Sequence, residues 1–248
     1  MMRLDDYDAI LCDLDGCLIS GTTVLPGAKD VLDAAGDRLV ILSNNSTDTP
    51  ETLSRRLQAM GLCVPPERIV LAGTAALDHL AGFSDARICL YGSEALRDYA
   101  HRLGLTLTRE APTHVVLTRD ETYGYAQLRE TLGLIASGAQ LVVANPDVSH
   151  PGPDGTPVPE TGSLLSAILS VHPELPYVII GKPEPGLYRN ALTRFKEGVG
   201  RVLAIGDNPR TDAEGAARLG FDFALVGPHI GIGSGLQWFL DNWVRSGA

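Results

Sequence analysis

Residues 11–18 read LCDLDGCL, and they continue the apolar run Asp8–Cys12 (DAILC). Two aspartates, two positions apart, stand where that run stops, and a glycine follows. A half-buried strand would keep alternating apolar and polar residues, and a solvated loop would not begin from so apolar an entry. The stretch therefore reads as a strand that ends inside the protein and turns sharply at Gly16, a residue free to adopt backbone angles that others avoid. Like charges this close are most readily held together by a bound cation.

The same punctuation recurs along the chain. Arg38–Leu42 (RLVIL) ends at Ser43-Asn44-Asn45-Ser46, and Tyr177–Ile180 (YVII) ends at Gly181-Lys182-Pro183. Arg201–Ile205 (RVLAI) ends at Gly206-Asp207-Asn208, and Asp222–Val226 (DFALV) at Gly227. Near-continuous aliphatic runs are the mark of parallel strands covered on both faces. Helix-like segments lie between them: Gly27–Ala35, Thr49–Met60, Gly186–Phe195 and Thr211–Leu219. Pro50, just after Thr49, and Pro185, ahead of the third segment, are helix-start signals. This alternation predicts an α/β fold with a doubly wound parallel sheet, whose ligands sit at the carboxyl ends of the strands.

From about residue 77 to 177 a second set appears, with runs such as RICLY, HVVL and QLVV and a Pro/Gly-rich stretch HPGPDGTPVPETGS (150–163). About a hundred residues with their own strands and helices amount to a domain. The expected organisation is a discontinuous core of residues 1–76 and 178–248, with a smaller α/β domain, 77–177, inserted into it.

Composition narrows the function classes. The 248-residue chain carries 20 Lys and Arg against 30 Asp and Glu, a net charge of −10. That balance excludes a broad nucleic-acid-binding face, which would be basic. Lysine occurs only at Lys29, Lys182 and Lys196, so a lysine inside a strand-end cluster stands out. No apolar run approaches the ~20 residues of a membrane helix. The opening MMRLDDYD lacks the basic-then-apolar layout of a leader. Cys12, Cys17, Cys63 and Cys89 lack metal-ligand spacing and are expected as reduced thiols of a cytoplasmic protein. A homodimer is compatible with the sequence.

Four polar clusters end four of the runs: DLDG, SNNS, GKPEP and GDNPRTD. Asp13, Asp15 and Asp207 offer carboxylates to a hard cation, while Lys182 and Ser43 offer a positive charge and a hydroxyl. Magnesium suits such a set, because it is usually held by one or two carboxylates together with a substrate phosphate. Carboxylates, a cation, a lysine and helix-start amides around one anion describe phosphoryl chemistry. A calcium-binding helix–loop–helix is excluded, since a strand precedes DLDG. GIGSG (231–235) lacks the flanking strand and acidic partner of a dinucleotide site. The histidines show no ligand spacing, and only His150, in the inserted domain, is a candidate for approaching a substrate.

These motifs, in this order, resemble the haloacid dehalogenase superfamily of aspartate-nucleophile phosphatases. DLDGCLISGTTVLPGA, LSNNST, ANPDVSHPGPDG with GSLLSAI, and IGKPEPGLY resemble its NagD-like and 4-nitrophenylphosphatase-like subfamily, which has a large α/β cap. The resemblance implies Asp13 as nucleophile and Asp15 as general acid and base. It implies Ser43 and the Asn44 amide at the phosphoryl oxygens, with Asn45 beside them, and Lys182 neutralising charge. It also implies Mg²⁺ on Asp13, the Asp15 main-chain carbonyl and Asp207, with Asp212 in support and Asn208 nearby. The polar turns Asn145-Pro146-Asp147 and Glu160–Ser163 of the inserted domain are the expected substrate contacts. The chain departs from the family at Cys17, where Thr or Val is usual after the DxDG, at Arg210, and at ETGS (160–163). The expected function is Mg²⁺-dependent hydrolysis of a small soluble phosphate monoester, such as a sugar phosphate or nucleotide, through an aspartyl-phosphate. The alternatives are a phosphotransferase or phosphomutase using the same aspartate, and a non-catalytic binding protein on this fold.

Overall fold

The three strands that end in DLDG, SNNS and GDNPRTD are almost wholly apolar and are covered on both faces. Ala9–Cys12, Leu39–Ser43 and Val202–Gly206 are buried at every position. They lie in a five-stranded sheet in the order Asp222–Leu225, Val202–Gly206, Ala9–Cys12, Leu39–Ser43, Ile69–Leu71. Ala9–Cys12 pairs in parallel with both neighbours, Cys12 standing opposite Ile205 on one side and Ile41 on the other. Asp222–Leu225 adds a further parallel pair. The computed structural model describes residues 4–152, 156–196, 198–227 and 235–243. His229 and residues 231–234 of the GIGSG stretch lie outside them.

Helices cover this sheet where the apolar spacing predicts them. Ala28–Ala35 buries Ala28, Val31 and Ala35, a three-and-four spacing that puts one stripe on the core. Pro50–Ala59 buries Leu53 and Leu57. Pro185–Leu192 starts on its proline and buries Leu187, Tyr188 and Ala191. The fourth predicted helix is two elements, a wide π-turn over Pro209–Ala213 followed by the helix Glu214–Leu219.

The chain divides into two compact units. One comprises Met1–Ser43, Leu53–Val70 and Lys182–Ala248, and the other Asn44–Thr52 with Leu71–Gly181. The second unit has its own five-stranded sheet, in the order Tyr177–Ile179, Gln140–Val143, His114–Leu117, Arg87–Tyr91, Thr106–Leu107. All its pairs are parallel. Cys89, Tyr91, Val115, Leu117, Leu141, Val143, Leu165 and Ile168 form its core.

One expectation is corrected here. The run Tyr177–Ile180 does not belong to the first sheet: Tyr177–Ile179 is an edge strand of the second, with Tyr177 opposite Leu141 and Ile179 opposite Val143. Tyr177 and Val178 are 40% and 46% exposed, so this strand lacks the two-sided cover that its apolar sequence suggested. The place in the first sheet goes to Ile69–Leu71, a short run that the sequence reading passes over. The segment Asn44–Thr52, which directly follows a strand of the first unit, clusters with the second.

Candidate active site

Asp13 follows the central strand, and its N–H still donates to the Ile205 carbonyl. The turn after it closes through Gly16 N–H to Ile19 O and Leu18 N–H to Leu14 O. This leaves Asp13 buried and Asp15 exposed. Gly16 sits at φ +83°, and a side chain there would land on the Asp207 carboxylate. The glycine of DxDG is thus required twice, for its backbone angle and for the space that Asp207 fills.

Lys182 is 2% exposed, and its ammonium donates to Asp13 Oδ1 at 2.5 Å and to Asp212 Oδ1 at 2.6 Å. Burial alone would disfavour the ammonium, but Asp13 and Asp212 outweigh it and hold Lys182 well above its ordinary value. The other oxygen of Asp212 accepts from the Asn208 N–H at 3.1 Å. Gly206 leaves room for the Asp212 carboxylate, since a Cβ there would overlap it. Asn208 caps the π-turn, its side-chain oxygen accepting from Arg210 N–H.

Sequence reading missed Tyr188. It is buried, and its hydroxyl donates to the Thr211 and Asp212 carbonyls, both at 3.1 Å, tying the Pro185–Leu192 helix to the turn that carries Asp212. Gly215 makes room for its ring. An aromatic residue one turn into the helix after GKPEP was the available signal, but any core tyrosine gives the same one.

Asp13, Cys17 and Asp207 bring one ligand atom each within 4.8 Å of one another. These residues fit a divalent cation. Burial, with the Asp212 and Asp207 charges added to it, pushes Asp13 well above the usual carboxylate range against the pull of Lys182. A second positive charge beside Asp13 favours its ionised form. Two carboxylates are also a hard donor set suited to Mg²⁺.

Ser43, the last residue of its strand, is buried in the same unit. The remaining expected contacts fall in the second unit, where the structure gives them partners of their own. Asn145 is fully buried, and its amide donates to Asn44 O, Ser46 Oγ and Thr161 Oγ1. Its oxygen accepts from the Asp147 N–H, and Asp147 Oδ2 accepts from the Asn44 side chain at 2.9 Å. Asn145 therefore brackets two loops, where the sequence reading expected a substrate contact. Asn45 shapes its own turn, its oxygen accepting from the Thr47 and Asp48 N–H groups. Glu160 meets His150 Nδ1 at 2.8 Å and Arg119 at 3.8 Å.

Comparison with known proteins identifies relatives of the chain. Residues 10–106 match the family described as haloacid dehalogenase-like hydrolase, and residues 179–229 match one described as HAD-hydrolase-like. A dihydroxyacetone phosphatase of Corynebacterium glutamicum is 36% identical over 220 residues, which span 87% of this chain and 79% of that protein. The chain belongs to the haloacid dehalogenase-like hydrolases. Within them it is NagD-like: NagD from Escherichia coli superposes with a TM-score of 0.79 at 27% identity, over 91% of this chain and 88% of that one. A glycerol phosphate phosphatase from Mycobacterium tuberculosis, in complex with magnesium, superposes at 0.82 with 30% identity, over 91% of this chain and 70% of that one. As a member of this hydrolase family, the chain is an enzyme acting on phosphate monoesters of small molecules. Among its described residues, no helix is long and apolar enough to cross a membrane.

Proposed function

We propose that the protein is a Mg²⁺-dependent phosphatase working through an aspartyl-phosphate on Asp13. The observation that carries this reading is the buried ammonium of Lys182 between Asp13 and Asp212, with Asp207 beside Asp13. An Asp13 oxygen attacks phosphorus as the ester P–O bond breaks, and Asp15 gives its proton to the departing alcohol. Asp15 then takes a proton from the water that attacks the phospho-aspartate, freeing Asp13 and phosphate. Lys182 and the Ser43 hydroxyl, with the Asn44 main-chain amide, offset charge on the phosphoryl oxygens. Asp13, Asp207 and the Asp15 main-chain carbonyl would hold Mg²⁺, supported by Asp212, and the bound ion would offset charge on the phosphoryl oxygens.

Release of inorganic phosphate from a panel of small monoesters tests this. Activity is expected without any acceptor alcohol, to vanish in EDTA, and to return with Mg²⁺ but only weakly with Ca²⁺, whose longer bonds and higher coordination misplace the phosphorus. Full turnover in chelator would refute the metal assignment.

Choice among alcohols is assigned to the inserted unit, because the motif residues of the first unit address only the phosphoryl group and the cation. Glu160, at the start of the helix Thr161–Leu169 and paired with His150, is the group chosen to test this. Glu160→Ala is expected to reorder kcat/KM across the panel while sparing a small generic aryl ester. An unchanged ranking would move specificity elsewhere.

A further inference from the structure

Two thiols flank Asp13, and they are not equivalent. Cys12 Sγ donates to the Asp13 carbonyl at 3.3 Å and is committed to the backbone. Cys17 is 2% exposed, and its sulfur makes no hydrogen bond among the described residues. It instead shares a space of 4.8 Å with the Asp13 and Asp207 oxygens. A thiol is a weak donor, and this buried sulfur faces two carboxylate oxygens with no hydrogen bond of its own among the described residues, so a bound cation is the partner that the sulfur lacks.

Such a donor set of two oxygens and one sulfur is softer than a magnesium site. Thiolate favours zinc, cobalt and cadmium ions over magnesium or calcium, which take oxygen. We propose that Asp13, Cys17 and Asp207 form a thiophilic divalent-cation site, in which Zn²⁺, Co²⁺ or Cd²⁺ takes the Cys17 sulfur as a direct ligand. The S–H proton passes to solvent as the sulfur–metal bond forms, and no oxidation occurs. Mg²⁺ on the same carboxylates leaves the sulfur protonated and uncoordinated. The site thus discriminates between metals through one residue, and zinc-class ions compete with Mg²⁺ for it. The proposal rests on Asp13 and Asp207 being the metal carboxylates of the reading above.

Co²⁺ is the spectroscopic probe, added to chelator-treated full-length protein carrying Cys63→Ser, which removes the exposed thiol. Visible d–d bands report Co²⁺ binding, and a near-ultraviolet sulfur-to-cobalt charge-transfer band reports the Cys17 bond. Adding Cys17→Ser or Cys17→Thr is expected to abolish the charge-transfer band and keep the visible ones. By calorimetry, Cd²⁺ affinity is expected to fall by more than about tenfold while Mg²⁺ affinity moves by less than about twofold. Bound Co²⁺ without a charge-transfer band in the Cys17 protein would overturn the proposal and leave the metal site standing, whatever the variants do. The same band persisting in both Cys17 variants would also overturn it. Absence of any Co²⁺ or Mg²⁺ binding would bring down the carboxylate assignment itself.

Discussion

Asp13→Asn is expected to lower kcat by about 10,000-fold or more while leaving the protein folded, since removal of a covalent nucleophile has losses of that scale or larger. The substitution keeps the shape of the side chain but replaces an attacking carboxylate by an amide, which is neither a nucleophile nor a good ligand for a hard cation. Stability is expected to change little, for two opposing reasons. The variant gives up the ion pair with Lys182, yet it also takes a buried negative charge away from Asp212 and Asp207. Lys182 keeps Asp212 as its partner at 2.6 Å. Phosphate release and thermal melting of the same preparation separate the two effects. A folded Asp13→Asn protein retaining more than a small fraction of turnover would exclude Asp13 as the nucleophile.

Lys182→Met inverts that pattern, because it damages stability as well as rate. The ammonium it removes is shared by two buried carboxylates. Leaving a buried charge without its partner typically costs about 3–5 kcal/mol, far more than breaking an exposed pair. Urea denaturation in EDTA is expected to show a loss of that order, partly recovered on adding Mg²⁺, which places positive charge beside Asp13. Turnover is expected to fall by about 1,000-fold, as when one electrostatic stabiliser of a developing charge is deleted. Equal stability of the two proteins in chelator would mean that the Asp13–Lys182–Asp212 chain does not bear on folding.

The sequence displayed more of the site than of the sheet around it. DLDG, GKPEP and GDNPRTD marked Asp13, Lys182 and Asp207 as candidates, because a scarce lysine and like charges at the ends of apolar runs stand out, whereas Asp212 came only from the family resemblance. The strand periodicity was equally legible for Ala9–Cys12, Leu39–Ser43 and Val202–Gly206, which are buried on both faces. It misled at Tyr177–Ile179, since an apolar run records that a strand pairs and not which sheet it joins. It was silent on Ile69–Leu71, which is too short to show a pattern.

By itself, then, the sequence determined an α/β chain with a parallel sheet, an inserted second set of strands, and acidic and lysine residues gathered at strand ends. Those features are local: they follow from which residues are adjacent and from the turn that Gly16 allows. Only the tertiary structure decided which groups meet. Asp207 lies against Gly16, and Lys182 bridges Asp13 and Asp212, because parallel pairing sets the Ala9–Cys12 and Val202–Gly206 strands side by side. Tyr188 reaches the carbonyls of Thr211 and Asp212 only because its helix packs on the helix that follows them. Asn145 turned inward for a similar reason, since its turn lies against Asn44, Ser46 and Thr161 and those groups use its donors. Side-chain chemistry is written residue by residue, but the partner that uses it is chosen by sheet order and helix packing, which join residues far apart in the chain.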